Sequence, residues 1–183
     1  MSDVSKTTLR TVRLGADVNE LLQKYAGQQG VSFLDLMKDR LRKYVEWDFW
    51  MGRVGGVVLP LEMLRSILEA TDDTKLTKAA RDSAIHSREW LNFRFKRKDH
   101  EAFLEWISLL SKYARTIKYD MQSDGRSFKV TARHNLGQKW SDYLREFTIV
   151  EFEDLFNIVP QVAATENSLV VEWTFPQEYS RSN

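Results

Sequence analysis

Cysteine is absent from this 183-residue chain, which excludes disulfides, thiolate metal sites and cysteine nucleophiles together. Proline and glycine are scarce too, at 3 and 8 residues, and with 12% aromatics that composition argues against disorder. No apolar run approaches the about 20 residues that span a bilayer, and the N-terminus lacks the apolar core of a signal peptide. A cytoplasmic protein that does not enter a membrane is therefore expected. Formal net charge is only +1, so total charge carries no message about nucleic acid. Catalytic signatures are missing as well: there is no Gly-rich phosphate loop, no HExxH and no GxSxG. Carboxylate pairs such as Glu151 and Glu153, or Asp72 and Asp73, have no histidine or nucleophile at a telling spacing. His86, His100 and His134 offer imidazole without thiolate, so neither a metal nor another cofactor is expected. The chain does not read as an enzyme.

What is present concentrates in residues 8–47. Thr8-Leu9-Arg10-Thr11-Val12-Arg13-Leu14 alternates as a strand does, with Val12 and Leu14 on one side and Leu9, Thr11 and Arg13 on the other. After Gly15-Ala16-Asp17, residues Val18, Leu21, Leu22, Tyr25 and Ala26 fall on one helical face. Gly30 is placed to stop that helix, because it accepts a left-handed backbone at little cost. Ser32 then offers an N-cap, with Asp35 three residues on as an acidic variant of the capping box. Leu34, Met37, Leu41, Tyr44 and Val45 mark the expected buried face of a second helix. A unit this small cannot bury a sufficient core alone, so pairing with a second copy is expected.

The order T-V-R-L, helix, Q-G-V-S, helix, L-R-K-Y resembles the ribbon-helix-helix repressors, the superfamily of Arc, MetJ and CopG. The resemblance covers about a quarter of the chain. It implies that strands from two chains pair antiparallel and enter the major groove of double-stranded DNA. Leu9, Thr11 and Arg13 would then face the bases, with Arg13 suited to a guanine edge and Thr11 to a base or a thymine methyl. The N-terminal amides of the second helix, at Ser32 and Phe33, would meet a backbone phosphate. Two departures stand out: Gly15-Ala16-Asp17 replaces the family's frequent Pro-Glu-Glu, and Leu9 brings no hydrogen-bond donor.

Beyond this unit, residues 1–50, the glycines of Gly52-Arg53-Val54-Gly55-Gly56 suggest a hinge. Residues 51–89 read as a helical connector, with Leu61, Leu64 and Leu68 forming an apolar face and Lys75 to Ser87 mostly polar. Residues 90–183 alternate in a longer plan. Leu91, Phe93 and Phe95 suggest a strand; Phe103, Trp106, Ile107, Leu110 and Ala114 a helix capped by Asp99. Ile117, Tyr119 and Met121 precede a Ser123-Asp124-Gly125 hairpin turn, and Phe128, Val130 and Ala132 follow it. A helix from Gly137 to Phe156 and a strand through Leu169, Val171, Trp173 and Phe175 complete it. The order βαββαβ is the ferredoxin-like plan, so the expected fold class is α+β. A ribbon-helix-helix unit ahead of such a module resembles the nickel-responsive repressors in architecture only.

Charge is uneven along this stretch. From Lys75 to Lys98 there are eight basic residues against Asp82 and Glu89, whereas eight acids from Ser141 onward meet only Arg145 and Arg181. Complementary faces within an assembly, a basic patch on nucleic acid and two ordinary solvated faces all fit that pattern. The expected open sheet face (Asn92, Arg94, Lys96, Lys118, Asp120, Lys129, Thr131, Arg133, Val170, Glu172 and Thr174) is polar and biased to positive charge. Arg94, Lys96, Lys129, Arg133, His134 and Asn135 are accordingly candidates for binding a small anionic effector. His134 and Asn135 read equally well as structural residues. The expected function is a sequence-specific DNA-binding transcriptional regulator, a homo-oligomer (dimer or tetramer) whose C-terminal domain senses a ligand or assembles the protein. The alternative is an antitoxin-like or adaptor module that binds a protein partner and no DNA.

Overall fold

The computed structural model of the chain describes residues 8–114 and 116–175. They form two compact units that divide between Phe49 and Trp50. In the first, Ala16–Gln29 (α1) and Phe33–Lys43 (α2) are helical, and a wide π turn, Tyr44–Asp48, follows α2. Gly30 ends α1 at φ 66°, a conformation that costs a Cβ-bearing residue energy, and the Val31 N–H closes on the Ala26 carbonyl at 3.1 Å. The Ser32 hydroxyl caps α2, accepting from the Asp35 N–H at 3.0 Å and donating to the Asp35 carboxylate at 2.6 Å.

Residues 8–14, expected as a strand, form none within the chain, and all their side chains are exposed. A single extended segment has no ladder to join, so strand pairing there needs a second chain. The expected buried face of α2 is also in solvent: Leu34, Leu41, Tyr44 and Val45 are exposed, and the buried residues of the two helices are Ala26 and Leu36. One helix can cover only one side of another, and α1 covers the side that carries Leu36.

The second unit holds Phe49–Arg53 (α3, from its second residue), Leu61–Ala70 (α4), Asp73–Phe95 (α5), His100–Leu109 (α6), a π turn at Leu110–Ala114 and Gln138–Phe156 (α7). Its strands are Lys118–Ser123 (β1), Ser127–Arg133 (β2), Gln161–Thr165 (β3) and Ser168–Thr174 (β4). They form one sheet in the order β1-β2-β4-β3, every neighbour antiparallel. Two hairpins joined by α7 thus place β2 and β4 at the centre. The first hairpin closes through Asp124, whose carboxylate accepts from the N–H groups of Arg126 (2.9 Å) and Ser127 (2.7 Å), with Gly125 at φ 92°. Leu169, Val171 and Trp173 of β4 and Ala132 of β2 bury against Leu91, Phe103, Phe152 and Phe156 of the helices.

The chain is therefore mixed α+β, as expected, but its sheet does not follow the βαββαβ plan. Leu91, Phe93 and Phe95 are the last turns of α5, not a first strand. Leu76, Ala80, Ala84, Ser87 and Leu91 form its buried stripe at helical spacing, and Phe95 continues it by joining the same core as Leu91. The missing strand is supplied by β3, whose Val162-Ala163-Ala164 has a weak pattern and a tight Glu166-Asn167 turn into β4. Residues 61–95 are not a loose connector either. Lys139 of α7 donates to the carbonyls of Glu69 (3.1 Å) and Thr71 at the end of α4, and Arg65 donates to the Asn135 carbonyl at 2.7 Å.

Helices α5 and α7 run side by side in the same direction, as their ion pairs show: Arg81–Glu146 at 2.6 Å and Arg88–Asp154 at 3.3 Å. Part of the basic and acidic segments are thus partners within one unit. The fully buried Ala80 and Ala84 leave no room for a larger side chain. Ala84→Leu should destabilise the fold by about 1–3 kcal/mol through overpacking. Ile85→Ala, at an exposed position, should change it by about 0.5 kcal/mol or less. Urea denaturation of both variants checks the contrast.

Candidate nucleic-acid interface

The residues expected to read bases are held by nothing within the chain. Leu9 is 91% exposed, Thr11 and Arg13 are exposed beside it, and Arg13 makes no ion pair among the described residues. Phe33 and Leu34 open α2 with backbone N–H groups that the helix itself does not use. The Ser32 side chain is committed to the cap, so a phosphate at this terminus would share it with the Asp35 carboxylate. Around these elements lie apolar side chains with no cover: Val12, Val18, Leu21, Tyr25, Leu34 and Leu41 are all exposed.

The six residues proposed for an anionic effector are not brought together. Arg94 lies in the last turn of α5 with its guanidinium 4.4 Å from the Trp50 ring, and Lys96 caps that helix at φ 58°. Neither is on the sheet. Lys129 and Arg133 are on its open face, where each has an acid across the ladder: Glu172 at 2.6 Å and Asp120 at 2.7 Å. A groove of about 610 Å³ crosses this face, and Asp124 and Glu172 line it together with Lys129. That lining does not favour an anion. Asn135 contributes its backbone carbonyl to Arg65.

His134 turns inward. Its Nδ1 accepts from the Leu136 N–H at 3.3 Å and its Nε2 lies 3.0 Å from Ser141 Oγ, which donates to the Glu166 carbonyl at 3.1 Å. These contacts assign the neutral ring with its proton on Nε2. Ser141 is fully buried with its own proton engaged, so the pair pins the start of α7 to the β3–β4 turn and presents no nucleophile. Burial holds the His134 pKa below its ordinary 6.5.

Glu151 was not singled out from the sequence as a site residue. It sits on α7, 3% exposed, with its carboxyl among apolar side chains. Burial pushes its pKa up to about 7; the Ser87 hydroxyl on α5 pulls weakly the other way, without a well-formed hydrogen bond between them. The signal was legible: Trp140, Leu144, Phe147 and Glu151 recur at the spacing of one helical face, and only the last is charged. Among the described residues no helix is long and apolar enough to cross a membrane, and no group of three or more metal-ligating side chains gathers. Comparison with protein-family models, curated proteins and solved structures finds no match to this chain.

These two groups give stability opposite pH dependences. The neutral His134 contributes fully above its unfolded value of 6.5, and that contribution is lost as pH falls below it. The protonated Glu151 contributes fully below about 4.5, and its contribution is lost as pH rises toward about 7. Relative to Glu151→Gln, the parent should therefore lose up to about 3 kcal/mol between acid and neutral pH. Relative to His134→Gln, it should gain over the range just below 6.5. Denaturant titrations across pH decide both signs.

Proposed function

We propose that the chain is a homodimeric, sequence-specific DNA-binding regulator of transcription, built on a ribbon-helix-helix unit at its N-terminus. One observation carries this reading: across residues 8–49 only Ala26 and Leu36 are buried, while Val12, Leu14, Val18, Leu21, Leu34 and Leu41 lie exposed. Two short helices with so little core need more apolar cover than they provide for themselves. A second copy supplies it, and its residues 8–14 give each lone extended segment the partner its backbone lacks. Pairing of those segments builds a two-stranded ribbon with Leu9, Thr11 and Arg13 on its outer face. A ribbon of that width fits the major groove. The α+β unit that follows takes the role of sensor or assembly domain.

Sedimentation should give a dimer for the parent at micromolar concentration, and Leu41→Glu should shift it toward monomer. In fluorescence anisotropy on pooled duplexes at two salt concentrations, binding should weaken as salt rises, because phosphate contacts release counterions. Arg13→Ala should bind the selected sequence about 1–3 kcal/mol less tightly, the range for one bidentate base contact. A monomeric parent, or an Arg13→Ala variant that binds as well as the parent, overturns this function. A stable dimer without DNA affinity at low salt moves the role to protein–protein interaction.

A further inference from the structure

The sheet and the helices α6 and α7 do not close completely on one another. Between them lies a cavity of about 110 Å³. Its floor is buried and apolar, with Phe103, Phe152, Leu169 and Trp173 (1–5% exposed), and half-buried residues such as Ile107 and Leu144 form its rim. An apolar cavity of about 150 Å³ is enough to admit benzene, so this space suits a compact ligand of similar size. Left empty, it deprives its walls of contacts and destabilises the fold.

Two polar groups in this lining lack an answer from the protein. The Glu151 carboxyl projects from α7 with no ion pair among the described residues. The cations of the adjoining helix are engaged elsewhere, Arg81 with Glu146 and Arg88 with Asp154. From the sheet, Tyr119 of β1 brings only a phenol to the same lining. The indole N–H of Trp173 is buried with no hydrogen-bond partner. A carboxylate in apolar surroundings requires a donor of opposite charge. An anion would be repelled, and a purely apolar molecule would leave the carboxylate as it was. The raised pKa of Glu151 agrees with this lack of a partner.

We propose that this cavity binds a small apolar primary amine, whose ammonium pairs with Glu151 while its hydrocarbon part fills the space beside Phe103, Leu144 and Phe152. The site deepens the sensor half of the regulatory reading and rests on that reading for its biological meaning, whereas the binding itself is measured without DNA.

Benzylamine and toluene are the probes: one shape, with and without the ammonium. Calorimetric titration of the full chain on the alkaline side of neutrality should show benzylamine binding about tenfold or more tightly than toluene, as a hydrogen bond to a charged group gives. Glu151→Gln should erase that preference and keep toluene binding. Leu144→Trp, which fills the space, should weaken both ligands; if it does not fold by circular dichroism, Ile107→Trp on α6 makes the same test. Equal affinity of the parent for both probes overturns the proposal. So does a preference retained in Glu151→Gln, binding undiminished in the filled variant, or no binding of either probe. Because no arm contains DNA, failure here leaves the Arg13→Ala comparison standing, and failure there leaves this site standing.

Discussion

The close approach of α5 and α7 is the contact on which the second unit depends. It is made possible by small side chains: Ala80 and Ala84 are fully buried, and Ser87 lies one turn further along the same stripe. With the two helices side by side, α7 can link the hairpins across one face of the sheet, and Leu91 reaches the core shared with Phe152 and Phe156. The ion pairs along the seam have a different role. Arg81, Glu146, Arg88 and Asp154 are all partly exposed, so each pair contributes little to stability. Their spacing does encode direction. Seven residues on α5 match eight on α7 in the same sense, and an antiparallel arrangement would separate the partners.

Nothing comparable holds the first unit. Its caps are well made, with Gly30 left-handed and Ser32 bonded to Asp35, but caps define helix ends and supply about 1 kcal/mol each. Tertiary stability comes from apolar burial, and here two side chains provide it. Good local signals combined with a deficient core describe a segment designed to finish folding against something else. The proposed second copy is economical in that respect: a two-fold partner presents the same apolar face and the same unpaired extended segment.

How much of this could be read from sequence depended on which physical signal dominated. Caps, turns and strongly amphipathic stretches were legible: Gly30, Ser32, Asp99 and the Asp124-Gly125 turn all do what their chemistry suggests. The end of α5 was not. Leu91, Phe93 and Phe95 alternate over five residues, and only the longer stripe through Ala80, Ala84 and Ser87 reveals the helix. Small residues bury well but barely register as apolar, so a packed seam resembled a polar connector. Strand β3 was lost for a related reason, since alanine has little strand preference and its partner β4 supplies the ladder. The anion site failed because it assumed Arg94 and Lys96 lay on the sheet, and because pairing across strands leaves Lys129 and Arg133 without free charge. The base-reading residues Leu9, Thr11 and Arg13 rest on a resemblance and a pattern, and a single chain cannot build the ribbon they require.

Glu151 breaks the rules that the rest of the second unit obeys. Every neighbouring position on its stripe of α7 is apolar, and a side chain of similar volume without charge would pack there at no desolvation cost. Lysines and arginines on α5 neutralise acids at the exposed edge of the same seam, yet none reaches this one among the described residues. A fold that places its partners in register elsewhere had the means to pair or remove this carboxyl. Its position beside a cavity, opposite an indole N–H that also lacks a partner, makes the two omissions one feature. Local violations of packing and polar satisfaction concentrate where a protein binds something, because the bound molecule completes what the fold leaves open. By that argument the carboxyl belongs to a ligand's complement of contacts more than to the protein's own core.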